Sequence, residues 1–219
     1  MPKGQTLQFK GSSLAVITSA TGTQAITSAT KANPCALTAP SHTFVVGDVV
    51  RITGVVGMTQ LNGGDYVVSA FTPGVTGTIT LFDVDSTDYT TYVSGGVAAK
   101  GVFSNFCELT GFDRSGGASA EIETTSICSD AQEFEAGLRA FGNLKLDYNF
   151  ASTVVINAFD AAQAAAKPLI IKRILPKSAG ATVWNSLVLE TGESAEVNGV
   201  WKGSATIKIN GNAFNFVPA

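Results

Sequence analysis

Residues 142–150 read GNLKLDYNF. Leu144, Leu146, Tyr148 and Phe150 alternate strictly with Asn143, Lys145, Asp147 and Asn149. A repeat of two puts the apolar set on one face of an extended chain and the polar set on the other, so this stretch predicts a half-buried strand. It is the clearest strand in the chain and sets the fold class as mainly β.

The same pattern extends on both sides. Downstream, 169–175, 182–189 and 201–209 read as strands, with a turn at 176–180 and a polar loop at 190–199. One helix interrupts them, over 153–166. Val155, Phe159, Ala162 and Ala166 recur at helical spacing, Ser152 is placed to cap the N-terminus, and Lys167-Pro168 ends the run. Upstream, 102–112 reads as a strand, 113–117 as a turn and 118–125 as a strand. On that strand Ala120, Ile122 and Thr124 face away from Glu121 and Glu123. Residues 126–138, SICSDAQEFEAGL, join it to the strand at 142–150. Between 25 and 100, short strands are expected at 25–28, 34–38, 49–53, 65–70, 78–82 and 96–99. Gly-, Asn- and Pro-rich turns separate them, for example Asn62-Gly63-Gly64. The expected architecture is α+β but mainly β: a sandwich or open barrel with one flanking helix, plus a small β-barrel inserted at 25–100. Residues 1–24 are then the first strand or arm of the larger unit, which 101–219 completes.

Composition narrows the function. The 219 residues are 45% apolar and only 14% charged, against about 25% charged in an average domain. A surface this poor in charge fits one that other subunits cover. The formal net charge of −3 and the lack of any Lys/Arg cluster argue against tight nucleic-acid binding. No run approaches the roughly 20 apolar residues of a membrane span, and the first residues lack the apolar centre of a signal peptide. Cys35, Cys107 and Cys128 have no metal-binding spacing and are expected to be buried free thiols in a reducing compartment.

Candidate chemistry is thin. Asp130, Glu133 and Glu135 cluster beside Cys128, but general acid–base work needs a cleft and split pKa values, and an intersubunit loop explains the cluster better. His42 is the only histidine, which excludes a multi-histidine metal site, and no G-x-S-x-G elbow accompanies it. Asp83, Asp85 and Asp88 lack the glycine and late glutamate of an EF-hand, so Asx-turns are expected there. Trp184 and Trp201 suit core or interface positions, with a glycan-stacking platform as the rival role. Lys172, Arg173, Lys177, Lys202 and Lys208 tilt the C-terminal part positive, as a basic edge for the acidic 130–135 and 190–196 loops of another copy. No catalytic, cofactor or metal residues are assigned.

Residues 106–150, FCELTGFDRSGGASAEIETTSICSDAQEFEAGLRAFGNLKLDYNF, resemble the major tail tube proteins of long-tailed bacteriophages. The places that carry the likeness are 122–125 (the I-x-T-T strand), 131–138 (A-x-E-F-x-x-G-L) and 142–150. The later helix, hairpin and closing WKGSATIKIN at 201–210 follow in the same order. Residues 25–100 resemble a small β-module inserted in phage virion proteins, similar to the FCCH fold of ubiquitin-activating enzymes. The phrases ITSATKANP, LTAPSHTF, GDVVRITGVVGMTQLNG and DYTTYVSGG carry that likeness, with Thr43 where the module usually has glycine after its histidine. That name implies a fold and no enzymology.

The resemblance implies a non-enzymatic virion tail protein made in the host cytoplasm. Its copies would form hexameric rings stacked into a hollow tube that DNA crosses without specific binding. Tape measure, tail terminator and distal tail proteins are the implied partners, with no cofactor and no membrane. It implies a ring-stacking loop carrying Asp130, Glu133, Phe134, Glu135 and Leu138. One face of strands 118–125 and 143–150 would line the channel through Glu121, Glu123 and Asp147, and the other would pack beneath the helix. The alternative is a receptor- or glycan-binding β-module of a virion tail protein.

Overall fold

A computed structural model describes residues 6–150 and 153–218. In chain order the elements are β1 (Ser13–Ala25), β2 (Ser28–Ala29), β3 (Ala36–Thr38), β4 (Val49–Val56), β5 (Asp65–Thr72), β6 (Thr78–Leu81), β7 (Ser94–Phe106), β8 (Leu109–Ser115), β9 (Ser119–Glu123), β10 (Phe134–Arg139), β11 (Asn143–Asn149), α1 (Thr153–Ala164), β12 (Leu169–Ile174), β13 (Ala181–Ser194), β14 (Lys202–Ile209) and β15 (Phe214–Phe216). The fold is mainly β, antiparallel, with one flanking helix.

Thirteen strands form one sheet in the order β2-β3-β6-β5-β4-β7-β1-β12-β13-β14-β11-β8, with β15 added on β13. The sheet does not close, because β2 and β8 are its end strands among the described residues. Its second half curls. Phe112 on β8 comes within 6.1 Å of Trp184 on β13, three strands away in the sheet order. The inward face of this curl carries the alternation seen at 142–150: Leu144, Leu146 and Tyr148 are buried, in one core with Val155, Phe159 and Ala162 of α1. Phe106 meets Tyr148 at 4.9 Å and Phe159 at 6.0 Å, which ties the helix to the sheet.

A second core, from Ile26 to Ala98, has Leu37, Ile52, Leu61, Ile79 and Leu81 at its centre. β1 and β7 connect the two. They pair from Leu14↔Phe106 to Ala25↔Val97, with register shifts after Ile17 and Thr21, and β7 also pairs β4. The two cores are packed together: Val49 and Val67 belong to the larger one, Phe82 lies 4.8 Å from Phe214, and the Asn212 amide donates to the Asp83 carboxylate at 3.2 Å.

Several sequence expectations need correction. The strand at 102–112 is broken at Cys107-Glu108, where β7 turns into β8, and β8 runs on to Ser115 through part of the expected turn. β13 continues to Ser194 because it stays paired with β14 across residues expected to loop. The helix ends at Ala164, and Ala166, with positive φ, lies past its end. The Ser152 cap lies outside the described residues. Cys35 is buried, but Cys107 and Cys128 are exposed. Burial raises the Cys35 thiol above its ordinary value.

Candidate functional site

The largest departure from expectation concerns 118–139. β9 does not join the main sheet. It pairs only with β10, as a separate two-stranded ribbon with Phe134 opposite Glu123, Glu135 opposite Ile122 and Ala136 opposite Glu121. The connection expected over 126–138 is therefore strand from Phe134 onward. Asp130 and Glu133 lie in the loop, whereas Phe134, Glu135 and Leu138 lie on β10, where pairing with β9 satisfies backbone groups that a loop would leave open. Thr124 N–H donates to Glu133 O at 2.9 Å, and Glu133 N–H to Thr125 Oγ1 at 3.0 Å, closing the loop.

No residue of β9 is buried, which corrects the expectation that one face of 118–125 packs beneath the helix. Cross-strand partners share a face, so Glu121, Glu123 and Phe134 lie on one side and Ile122 and Glu135 on the other. Ile122 is 52% and Phe134 54% exposed, Leu138 92% and Ile127 105%. Apolar groups thus project from both faces and from the loop. A lone hairpin with no covered face is marginal in water. Asp130, Glu133 and Glu135 make no ion pair among the described residues, where the two pairs are Arg51–Asp65 and Lys100–Asp48.

The ribbon leaves the sheet through a waist of glycines. Gly116, Gly117 and Gly142 have φ of +85°, +97° and +91°, and a Cβ on Gly116 would sit 2.8 Å from the Gly142 Cα. Two stretches of the one chain meet there at a spacing only glycine permits. Sequence reasoning took Gly116-Gly117 as an ordinary turn and missed its pairing with Gly142, which is distant in sequence.

Asp147 sits elsewhere, on the outer face of the curled sheet. Lys145 is flanked by Asp113 and Thr206, with Glu190 beyond. Asp147 is flanked by Gly111 and Ser204, Asn149 faces Lys202, and Asn143 faces Lys208. The formal charges of the three lysines and three carboxylates on this face cancel. Small polar groups fill the space between them.

The other candidates separate. Trp184 is fully buried and Trp201 is exposed beside Phe150, so they form no shared platform. The basic edge is also dispersed. Lys172 lies half-buried between Phe103 at 5.5 Å and Phe216 at 5.2 Å, and burial lowers its pKa. Arg173 points to the opposite face, while Lys177, Lys202 and Lys208 are exposed. His42 is buried and its Nδ1 accepts the Phe44 N–H at 3.2 Å. Asp85 accepts from Thr87 Oγ1 at 2.6 Å, from Thr87 N at 3.0 Å and from Asn33 Nδ2 at 3.1 Å, the expected Asx-type turn, and these bonds, the Thr87 hydroxyl's foremost, lower its pKa. No group of three His, Cys, Asp or Glu among the described residues is placed to hold a metal.

Residues 35–101 match the family described as the ubiquitin-activating enzyme E1 FCCH domain. No curated protein matches the chain. An FCCH-like domain therefore occupies much of the second core. It begins within the expected 25–100 insertion and ends at Gly101 on β7.

Proposed function

We propose that the chain is a self-assembling structural subunit, the major tail tube protein of a long-tailed bacteriophage. Copies form hexameric rings that stack into a hollow tube, and genomic DNA passes through it into the host cell. The observation that carries this reading is the ribbon 119–139, which has apolar side chains on both faces that no described residue of its own chain covers. A second copy supplies that cover.

The outer face of β8, β11, β14 and β13 suits the channel wall. Its charges cancel, so it offers phosphates no cumulative attraction, which would otherwise add up along a duplex and stall its passage. Asp147 lies on this wall, and Glu121 and Glu123 reach it from the ribbon of the same or a neighbouring copy. The FCCH-like domain decorates the outside. Tape measure, terminator and distal tail proteins cap and measure the tube, which assembles in the host cytoplasm without a membrane.

Electron microscopy of the purified chain tests this. Six-fold rings or uniform hollow filaments are expected, and dispersed globular particles at every concentration would overturn it. In assembled virions, Asp147→Lys should leave tubes intact and slow DNA delivery. Unchanged delivery kinetics would remove Asp147 from the channel wall.

A further inference from the structure

The curled half of the sheet has an open seam where β8 lies across a cavity from β1 and β12 without pairing them. The cavity, of about 310 Å³, is walled by Leu14, Phe106, Leu109 and Phe112, with Leu7 and Phe9 of the segment before β1 also lining it and Arg173 at its polar side. Arg173 projects onto the inward face. It lies opposite Leu14 on β1 and opposite Thr182 on β13, to whose hydroxyl it donates at 3.2 Å. Its guanidinium stacks on Trp184 at 5.1 Å and Phe112 at 5.6 Å, while Arg114 covers the same indole at 5.9 Å.

Two guanidiniums thus flank one buried ring. Neither makes an ion pair among the described residues, and the Arg173 Nε is buried without a hydrogen-bond partner. Burial first, and Arg114 second, depress the Arg173 pKa. Arg173 is partly buried and Arg114 exposed. A partly desolvated cation with no counter-charge costs more than one in open water, and an anion brought into the seam relieves that cost.

Elsewhere, the same chain presents the complement. The loop between β9 and β10 carries Ile127, wholly exposed, with the carboxylates of Asp130 and Glu133 unpaired among the described residues. Its apolar tip and acidic flank match the apolar cavity, the Arg173 on its wall and the Arg114 across the Trp184 ring. We infer that the 127–133 loop of one copy docks in the seam of the next, with Ile127 in the cavity and Asp130 and Glu133 against Arg173 and Arg114. Loop and cavity are different surfaces, so the contact is head-to-tail and propagates into rings or filaments. This rests on the self-assembly reading above and assigns it a specific contact.

The native thiols give a direct test. Cys107 lines the cavity and is exposed, Cys128 lies on the loop and is exposed, and Cys35 is buried. The full chain is concentrated, its association followed by sedimentation, and it is then oxidised with diamide. Docking brings Cys107 of one copy near Cys128 of the next. Each such pair gives up two electrons and two protons to the diazene, and the chain runs as a ladder of covalent multimers on non-reducing gels. Cys107→Ser and Cys128→Ser should each abolish the ladder, and an equal mixture of the two variants should give one covalent dimer. An assembled chain that yields no mixed Cys107–Cys128 disulfide overturns the inference.

A second arm uses charge. Glu133→Lys, on an exposed loop, should weaken association about tenfold or more, and adding Arg114→Glu to that chain should restore it. Unchanged association, or weakening that the second substitution does not repair, also overturns the docking. A wild-type chain that stays monomeric at every concentration instead overturns the assembly reading beneath it.

Discussion

β11 and β9 are both short alternating strands, and their surroundings are opposite. In β11, Leu144, Leu146 and Tyr148 disappear into a core built with α1, β12, β13 and β14. In β9 every residue stays exposed, and Ile122, which occupies the same kind of position, keeps half its surface in water. Alternation reports that a strand has two faces. It does not report whether the cover for one face comes from the same chain or from another copy.

That comparison can be broken in several ways, beginning with the most severe. Deleting residues 25–100 and joining Gln24 to Gly101 removes the second core. Ala20 pairs with Gly101, so Thr21–Gln24 becomes a four-residue hairpin loop, a connection of ordinary length. The remaining chain should fold and still assemble. Its melting temperature should drop, because Val49 and Val67 leave the larger core and Phe214 loses Phe82. A chain that no longer folds would show that the two cores are one cooperative unit.

Leu146→Ala on β11 should cost about 2–5 kcal/mol of monomer stability by denaturant titration, since Leu146 is fully buried. A cost under about 1 kcal/mol would mean that the core collapses around the gap. High pH tests the other core. Burial is the main cause that pushes the Tyr66 hydroxyl up to about 12, so the folded state holds that proton more tightly than the unfolded chain does. The associated stability should be complete below about pH 10 and fall as pH rises from there towards 12. Absorbance titration of wild type against Tyr66→Phe should show the missing phenol as a late-ionising one.

The smallest effect is expected on β9. Ile122→Ala should change the stability of dilute monomer by no more than about 0.5 kcal/mol, as for exposed positions generally, while reducing the assembled fraction. An equal loss of monomer stability would mean that the ribbon is packed within its own chain.

Much of the fold was legible because its signals are local. The alternation at 142–150 and the helical spacing of Val155 and Phe159 each sit within one element and match β11 and α1, though the helix stops at Ala164, two residues before the end expected from Lys167-Pro168. The FCCH-like phrases fall on the second core for the same reason. What escaped depends on contacts between distant residues. The isolation of β9 and β10 follows from the meeting of Gly116 with Gly142, and the curl of the sheet follows from Phe112 reaching Trp184. The extension of β13 to Ser194 reflects pairing with β14, which overrides a polar, Gly-containing sequence. For the candidate site, the acidic cluster at 130–135 was visible in the sequence. The cavity and the two arginines were not, since Arg114 and Arg173 are brought together only by that curl.

Amide hydrogen exchange across 119–139, compared between dilute monomer and assembled chain, tests the central claim most directly. The ribbon should exchange fast in the monomer, while β11 is protected. On assembly its protection should rise to approach that of β11, because another copy now covers it. A ribbon that exchanges equally fast in both states would contradict the account.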